Sequence, residues 1–170
     1  MALWRKDGFA EDIWTNVADG EAIPASGAIV VSAQRWSAER EALINRAYPV
    51  GVSIAAGKGA VDQLGEAADR PLVVLSFAKF ADGRAFSLAL LLRERHGFTG
   101  ELRAGGDVLL DEIPMMLRCG FDSFEVSNEP TLRALRRGYL PGGSLFYQPS
   151  LAPHEVPTGT RPWLRRRASA

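Results

Sequence analysis

The sequence predicts an α/β fold in which a mainly parallel sheet of about five strands is flanked by helices. The nearly continuous apolar run of residues 72–77 is typical of a strand covered on both faces. Residues 80–126 pass twice through a polar or glycine-marked turn, an amphipathic helix and a short strand. Right-handed crossovers of this kind build either an open doubly wound sheet or a partial β/α barrel, and the sequence leaves both open.

The earlier strands are predicted from two shorter apolar runs. Residues 28–32 follow a loop and form the first strand, and residues 50–54 form the second. Between them, Ser37 is predicted to cap the N-terminus of a helix that ends near Arg46. The first 25 residues are expected to be irregular apart from a short strand or hairpin.

Two amphipathic helices are predicted around the fourth strand, residues 101–104. Residues 84–95 form the first helix, which has a broad apolar face. Residues 107–119 form the second, with Asp107 as its N-cap. Pro114 would lie inside this second helix, where it is expected to kink or divide it.

The end of the predicted sheet is followed by one more helix and a tail. Residues 121–126 form the fifth strand, and Asn128 opens a helix that Gly138 ends. Residues 1–150 are therefore predicted to form a single α/β domain. Residues 151–170 are predicted to be an irregular, arginine-rich C-terminal tail.

Composition excludes several classes of partner and location. The chain has 170 residues, 20 basic and 20 acidic, so the whole molecule has no attraction to nucleic acid or anionic lipid. No apolar run approaches the ~20 residues that span a bilayer, and the N-terminus is charged where a secretory signal is apolar. We expect a cytoplasmic protein. A chain too short to close a barrel is also expected to dimerise in order to cover exposed strand edges.

The sequence offers little material for metal or redox chemistry. Its lone cysteine, Cys119, cannot form an internal disulfide or a four-cysteine cluster, and it is expected to be a small buried side chain. The two histidines lie far apart in the sequence. The turn Gly57-Lys58-Gly59 does not match the phosphate-binding loop or the dinucleotide fingerprint, so no metal and no cofactor is expected.

Ligands of parallel α/β sheets bind beyond the carboxyl ends of the strands. There Lys79 and Arg103 could hold an anion, and Gly105 and Gly106 could let it approach the N–H groups of the next helix. Glu125 follows on the last strand. The complete set of candidate ligand-binding residues is Lys79, Asp82, Arg84, Arg103, Gly105, Gly106, Asp107 and Glu125. No catalytic constellation is visible among them, so the sequence does not decide whether the protein is an enzyme.

Dense motifs in the middle of the chain resemble a known bacterial family. They are Phe80-Ala81-Asp82-Gly83-Arg84-Ala85-Phe86-Ser87, Leu91-Leu92-Arg93-Glu94-Arg95, Gly97-Phe98-Thr99-Gly100-Glu101-Leu102-Arg103-Ala104, Gly106-Asp107-Val108-Leu109 and Arg118-Cys119-Gly120-Phe121-Asp122-Ser123-Phe124. Together they are similar to the proteobacterial family catalogued as domain of unknown function 934.

The resemblance implies a place in sulfur metabolism. Members of that family are encoded beside assimilatory sulfite reductase genes, although no catalytic residue is established for them. A sulfite reductase subunit itself needs four thiolates for its iron–sulfur cluster, and this chain has one. The resemblance therefore implies a non-catalytic accessory protein that binds the sulfite reductase subunit. The alternative is a small α/β enzyme or binding module for a sulfur oxyanion or a phosphate-bearing ligand.

Overall fold

One eight-stranded sheet organises the protein. The computed structural model describes residues 1–77 and 83–142 with their side chains, and the backbone of residues 145–146, 155–158 and 161–167. The strands of the large sheet are β1 (Ala2–Arg5), β2 (Gly8–Ala10), β3 (Trp14–Asn16), β4 (Ala28–Ser32), β5 (Val50–Ala55), β6 (Leu72–Phe77), β7 (Glu101–Gly106) and β8 (Ser123–Val126).

The order of these strands decides between the two predicted architectures. They lie in the order β2-β1-β8-β7-β6-β5-β4-β3, and β3 to β8 are all parallel. β1 pairs antiparallel with β8, and β2 with β1. Because successive parallel strands are neighbours, right-handed crossovers put the helices on one face, whereas a doubly wound sheet reverses its order. The sheet is thus a curled half-barrel, mostly parallel as predicted, but with eight strands instead of about five.

The helices cover one face of this sheet. They are α1 (Ala33–Ala38), α2 (Arg40–Ile44), α3 (Ala60–Ala67), α4 (Arg84–Glu94), α5 (Ile113–Arg118) and α6 (Glu129–Arg136). Their apolar side chains pack with alternate strand residues such as Val52, Val73 and Leu102 in the main core. A smaller cluster of Val30 and Leu72, with Val74, is separate from that core. Because side chains of a strand alternate between faces, this smaller cluster lies on the opposite face.

A short connection forces the sheet to curl. β2 and β3 are its two edge strands, yet only residues 11–13, here called the strap, join Ala10 to Trp14. Four Cα–Cα steps reach at most about 14 Å, whereas the edges of a flat eight-stranded sheet would be about 34 Å apart. The two edges must therefore approach each other, and the strap crosses the concave side. We call that side, which lacks the helices, the inner face.

Two predicted helix starts are wrong for local reasons. The first helix begins after Ser32, whose Oγ accepts a hydrogen bond from the Arg35 N–H at 3.0 Å, and Ser37 lies inside it. The predicted helix over 107–119 is shorter, because α5 starts at Ile113. Pro114 therefore occupies the first turn, where its missing N–H costs nothing, and does not kink the helix.

The other predicted elements agree more closely with the structure. Asn128 caps α6, since its Oδ1 accepts from the Thr131 N–H at 3.0 Å. The fourth predicted strand extends to Gly106, and the fifth begins only at Ser123. Cys119 is buried as expected, and burial raises the pKa of its thiol.

A second sheet includes parts of the predicted tail. It is a three-stranded antiparallel sheet of β9 (Leu145–Phe146), β10 (Glu155–Thr158) and β11 (Arg161–Arg167). Strand β11 lies between the other two. None of the helices in the described residues is long and apolar enough to span a membrane.

Replacing Gly106 by alanine is expected to destabilise the fold by about 1 to 3 kcal/mol. Gly106 ends β7 with φ of 84°, and an added Cβ would lie 2.3 Å from the carbonyl oxygen of Phe77. Gly57→Ala is the matched control, since the nearest atom to its added Cβ is 3.9 Å away. Urea unfolding of both variants measures the difference. Equal stability of the two variants would show that the junction of β6 and β7 yields to the side chain.

Candidate functional site

Arg103 lies at the centre of the inner face. On β7, Glu101, Arg103 and Gly105 lie on the inner face, and Arg103 is the middle one. The alternate residues Leu102 and Ala104 enter the main core. On the neighbouring strand, Ser123 pairs with Arg103. The guanidinium is nevertheless only 1% exposed, because the strap passes over it.

Three carboxylates surround the Arg103 guanidinium. Its Nη1 donates to Asp12 Oδ2 at 2.9 Å and to Glu125 Oε1 at 3.3 Å, and its Nη2 donates to Glu101 Oε1 at 3.0 Å. Hydrogen bonds to ionised partners are the strong ones, particularly where water is excluded. Burial alone would lower the pKa of Arg103, but the hydrogen bonds to Asp12 and Glu101 outweigh it and raise the pKa.

Two further side chains complete this network. The Ser123 hydroxyl donates to Glu101 Oε1 at 2.6 Å, and Arg5 Nη2 donates to Glu101 Oε2 at 2.8 Å. We call this group the Arg103 cluster, and its members are Arg5, Asp12, Glu101, Arg103, Ser123 and Glu125. Two guanidiniums thus face three carboxylates.

The pKa of the Glu125 carboxyl group is raised in this network. Burial is the main cause that raises the pKa of its carboxyl group, and Asp12 and Glu101 raise it further. The charge of Arg103 and the hydrogen bond from it act in the opposite direction but do not cancel the increase. The carboxyl group of Glu125 therefore holds a proton more readily than the carboxyl group of an ordinary glutamate.

The structure brings together some of the predicted ligand-binding residues. Arg103 and Glu125 are in direct contact, and an added Cβ on Gly105 would lie 3.0 Å from Glu125 Oε2. Arg84 is exposed at the first residue of α4. The predicted positions Lys79 and Asp82 lie outside the described residues.

Two details of the predicted anion site are corrected. Arg103 was expected beyond the end of its strand, but β7 continues through Gly105 and Gly106, so Arg103 lies within the strand. Asp107 was expected to start a helix, yet its N–H donates to the Phe77 carbonyl at 3.0 Å and α5 begins only at Ile113. Gly105 and Gly106 consequently do not lead into free helical N–H groups. An anion at Arg103 would also have to displace carboxylates.

Sequence reasoning missed four members of the Arg103 cluster. Glu101 and Ser123 could have been found from period-two alternation, since they share a strand face with Arg103 and Glu125 respectively. Asp12 had no such signal, because it is 91 residues from Arg103 in the sequence. Arg5 had no such signal either. It reaches Glu101 from β1, at the N-terminal end of the chain, and β1 pairs antiparallel with β8.

A second network joins several residues of the family-like motifs. Arg93 on α4 donates to the carbonyl oxygens of Phe98, Gly100 and Gly120 at 2.8 to 3.0 Å. It also forms an ion pair of 2.6 Å with Asp122, and the same Asp122 oxygen accepts from the Leu102 N–H at 2.8 Å. These contacts hold together the loops that enter β7 and β8, so the residues serve the scaffold.

An acidic group follows the carboxyl end of β7. Glu112 is half-buried there, and its Oε2 is buried with no hydrogen-bond partner among the described residues. Burial, followed by the charges of Asp111 and Asp107, raises the pKa of Glu112. Within the part of the chain that the structure describes, no three histidine, cysteine or acidic side chains are arranged to hold a metal ion.

Comparison with known proteins agrees with the resemblance seen in the motifs. A family model described as "Bacterial protein of unknown function (DUF934)" matches residues 51–157, which is more than half of the chain. No curated protein and no solved structure matches. The matched range includes Arg103 and Glu125, whereas Asp12 and the strap lie outside it.

Arg103→Gln is expected to lower the free energy of unfolding by about 3 to 5 kcal/mol, because it leaves buried carboxylates without their cation. Arg103→Lys keeps the charge but loses the planar fork, so its loss should be smaller. Arg95→Gln, at an exposed position, is the control and should change stability by less than about 0.5 kcal/mol. Urea unfolding measures all three variants. A loss below about 1 kcal/mol for Arg103→Gln would mean that water solvates the cluster.

The stability difference between the wild type and Glu125→Gln is expected to depend on pH. The folded pKa of Glu125 is raised above its ordinary value of 4.5, so its contribution is fully present below the unfolded pKa. That contribution is lost as the pH rises through the folded pKa. The unfolding free energy of wild type minus variant should therefore fall as the pH rises from about 4 toward neutrality. Urea unfolding across this range measures it, with exposed Glu94→Gln as the control. A difference that stays constant or increases with pH contradicts the prediction.

Proposed function

Because the chain belongs to the bacterial family of unknown function DUF934, we propose that it is a non-catalytic accessory protein of assimilatory sulfate and sulfite reduction. It acts in the cytoplasm and binds the sulfite reductase subunit. The gene association that the family resemblance implies directs the proposal to this pathway.

The internal pairing of Arg103 is the observation that carries the non-catalytic part of the proposal. Among the predicted ligand-binding residues that the structure describes, Arg103 is the permanently charged side chain on the face opposite the helices, where it could hold a sulfur oxyanion. Its donors are instead directed to Asp12, Glu101 and Glu125. A sulfite or sulfate ion there would meet three negative charges. This arrangement favours a role in holding the half-barrel together.

The contacts of the motif residues support the same role. Arg93 and Asp122 bind backbone groups of the loops around them, and Glu101 binds three side chains of the Arg103 cluster. Side chains whose hydrogen bonds are made within the protein stabilise its fold. A protein whose distinctive residues preserve its shape is suited to presenting a surface to a partner.

The alternative function is a small enzyme or binding module for a sulfur oxyanion or a phosphate-bearing ligand. It would need cations at the carboxyl ends of the strands that are not already paired. Because Arg103 is paired and lies within its strand, the geometry favours the accessory role over this alternative.

Deletion of the gene is expected to slow growth when sulfate or sulfite is the sulfur source, and to leave growth on cysteine unchanged. Cysteine enters metabolism after sulfite reduction, so it bypasses the step that the protein assists. Growth rates of the deletion strain on the three sulfur sources measure this. The strain complemented with the wild-type gene is the control.

Co-purification provides the second readout for the same proposal. Tagged protein from sulfate-grown cells should retain the sulfite reductase subunit, whereas the tag alone should not. Normal growth on all three sulfur sources together with an empty pull-down would remove the proposal. A melting temperature that rises with sulfite, and no longer rises in Arg103→Gln, would instead support the ligand-binding alternative.

A further inference from the structure

Charge is distributed unevenly along this neutral chain. Residues 131–170 contain seven arginines and one glutamate, a net charge of +6, so residues 1–130 carry −6. Clusters of like charge at a protein surface steer oppositely charged partners toward it. The only helix in the basic part of the described residues is α6, of which Thr131–Arg136 lies beyond residue 130.

The exposed side of α6 and its surroundings combine arginines with aromatic rings. Arg133, Arg136 and Arg137 have the i, i+3, i+4 spacing of one helix face, and all three are exposed. The Arg136 guanidinium carbon lies 6.0 Å from the centre of the Phe9 ring, which is 42% exposed. Tyr139, just after the helix, is 58% exposed. We call these five residues the docking face.

The composition of the docking face is that of a protein interface. Tyrosine, phenylalanine and arginine are enriched where proteins meet, and tyrosine and arginine frequently carry the binding energy. Burying an aromatic ring also releases water from apolar surface, which a purely electrostatic contact does not do. Leu132 and Leu135 anchor the helix on the opposite side. On the exposed side, Arg136 also forms an ion pair of 3.5 Å with Glu129 of the same helix.

The chain itself does not supply a suitable occupant from its tail. Residues 143–170 contain four arginines and one glutamate, so like charges would repel them from the docking face. A nucleic acid is a polyanion, and the net charge of −6 on residues 1–130 would repel it. The charge complement of the docking face is therefore a local acidic patch on another protein.

We propose that Phe9, Arg133, Arg136, Arg137 and Tyr139 form a docking face for an acidic surface of a partner protein. If the proposed function is correct, that partner is the sulfite reductase subunit, and the identity of the partner rests on that proposal. The docking face itself rests on the geometry and charge of this chain.

Neutralisation of the three arginines tests the docking face. The triple variant Arg133→Gln, Arg136→Gln, Arg137→Gln, here called the α6 variant, should bind the purified sulfite reductase subunit at least about tenfold more weakly than wild type. The control is Lys6→Gln, Lys58→Gln, Arg95→Gln, which removes three exposed positive charges elsewhere and should stay within about twofold. Thermal unfolding confirms that both variants are folded. Equal losses in the two variants would overturn the inference.

Immobilised poly-L-glutamate provides a measurement that does not depend on the proposed function. Wild type should bind it, added salt should weaken binding, and the α6 variant should lose it. Tyr139→Ala should weaken binding to the reductase subunit and leave binding to poly-L-glutamate unchanged, because the ring recognises apolar surface. If the wild type binds poly-L-glutamate as described but not the reductase subunit, the docking face stands and the proposed function fails. If the reductase subunit binds wild type and the α6 variant equally, the function stands and the docking face fails.

Two further outcomes would assign the surface to another class of partner. Tighter binding of wild type to a single-stranded oligonucleotide than to poly-L-glutamate, lost in the α6 variant, would make it a nucleic-acid site. Concentration-dependent self-association on gel filtration, lost in the same variant, would make it an interface between two copies of the chain. Either result overturns the acidic-protein inference.

Discussion

The ion pairs of Arg103 constrain the rest of this structure. A buried guanidinium costs several kcal/mol to remove from water unless charged partners surround it in good geometry. Here those partners come from β7, β8 and the strap, and Arg5 on β1 supports one of them. The network is therefore complete only when β1, β7, β8 and the strap are all in place. It links Asp12 to Arg103 on β7, which lies 91 residues later in the sequence.

The Arg103 cluster contains two guanidiniums and three carboxylates, so it has one negative charge in excess. Without Asp12, the remaining two guanidiniums and two carboxylates would be neutral, so the carboxylate of the strap is the surplus charge. The strap nevertheless has little freedom, because three residues must join opposite edges of the sheet. Its short length curls the half-barrel, and Asp12 then lies above Arg103. Burial is the main cause that raises the pKa of Glu125, and the charge of Asp12 adds to it.

The distinctive polar residues of the chain stabilise its fold from both faces of the sheet. Arg93 and Asp122 join loops on one side of the sheet, and the Arg103 cluster joins strands on the other. Strand β2 lies two places from β8, the strand that leads into α6. Arg136 and Phe9, from distant parts of the chain, meet there at the surface.

Local interactions are the part of this structure that the sequence by itself determined. The apolar run of β6 and the Asn128 cap of α6 depend on neighbours within a few residues, and they are found where the sequence predicts them. Two predicted helix starts were wrong because other contacts formed. Ser32 caps the first helix in place of Ser37, and the Asp107 N–H donates to the distant Phe77 carbonyl. The order of the strands, the curl of the sheet and the partners of Arg103 were decided only by the tertiary structure. The physical reason is that a buried charge is stabilised by whichever groups the fold brings within hydrogen-bonding distance, and sequence spacing does not report that distance.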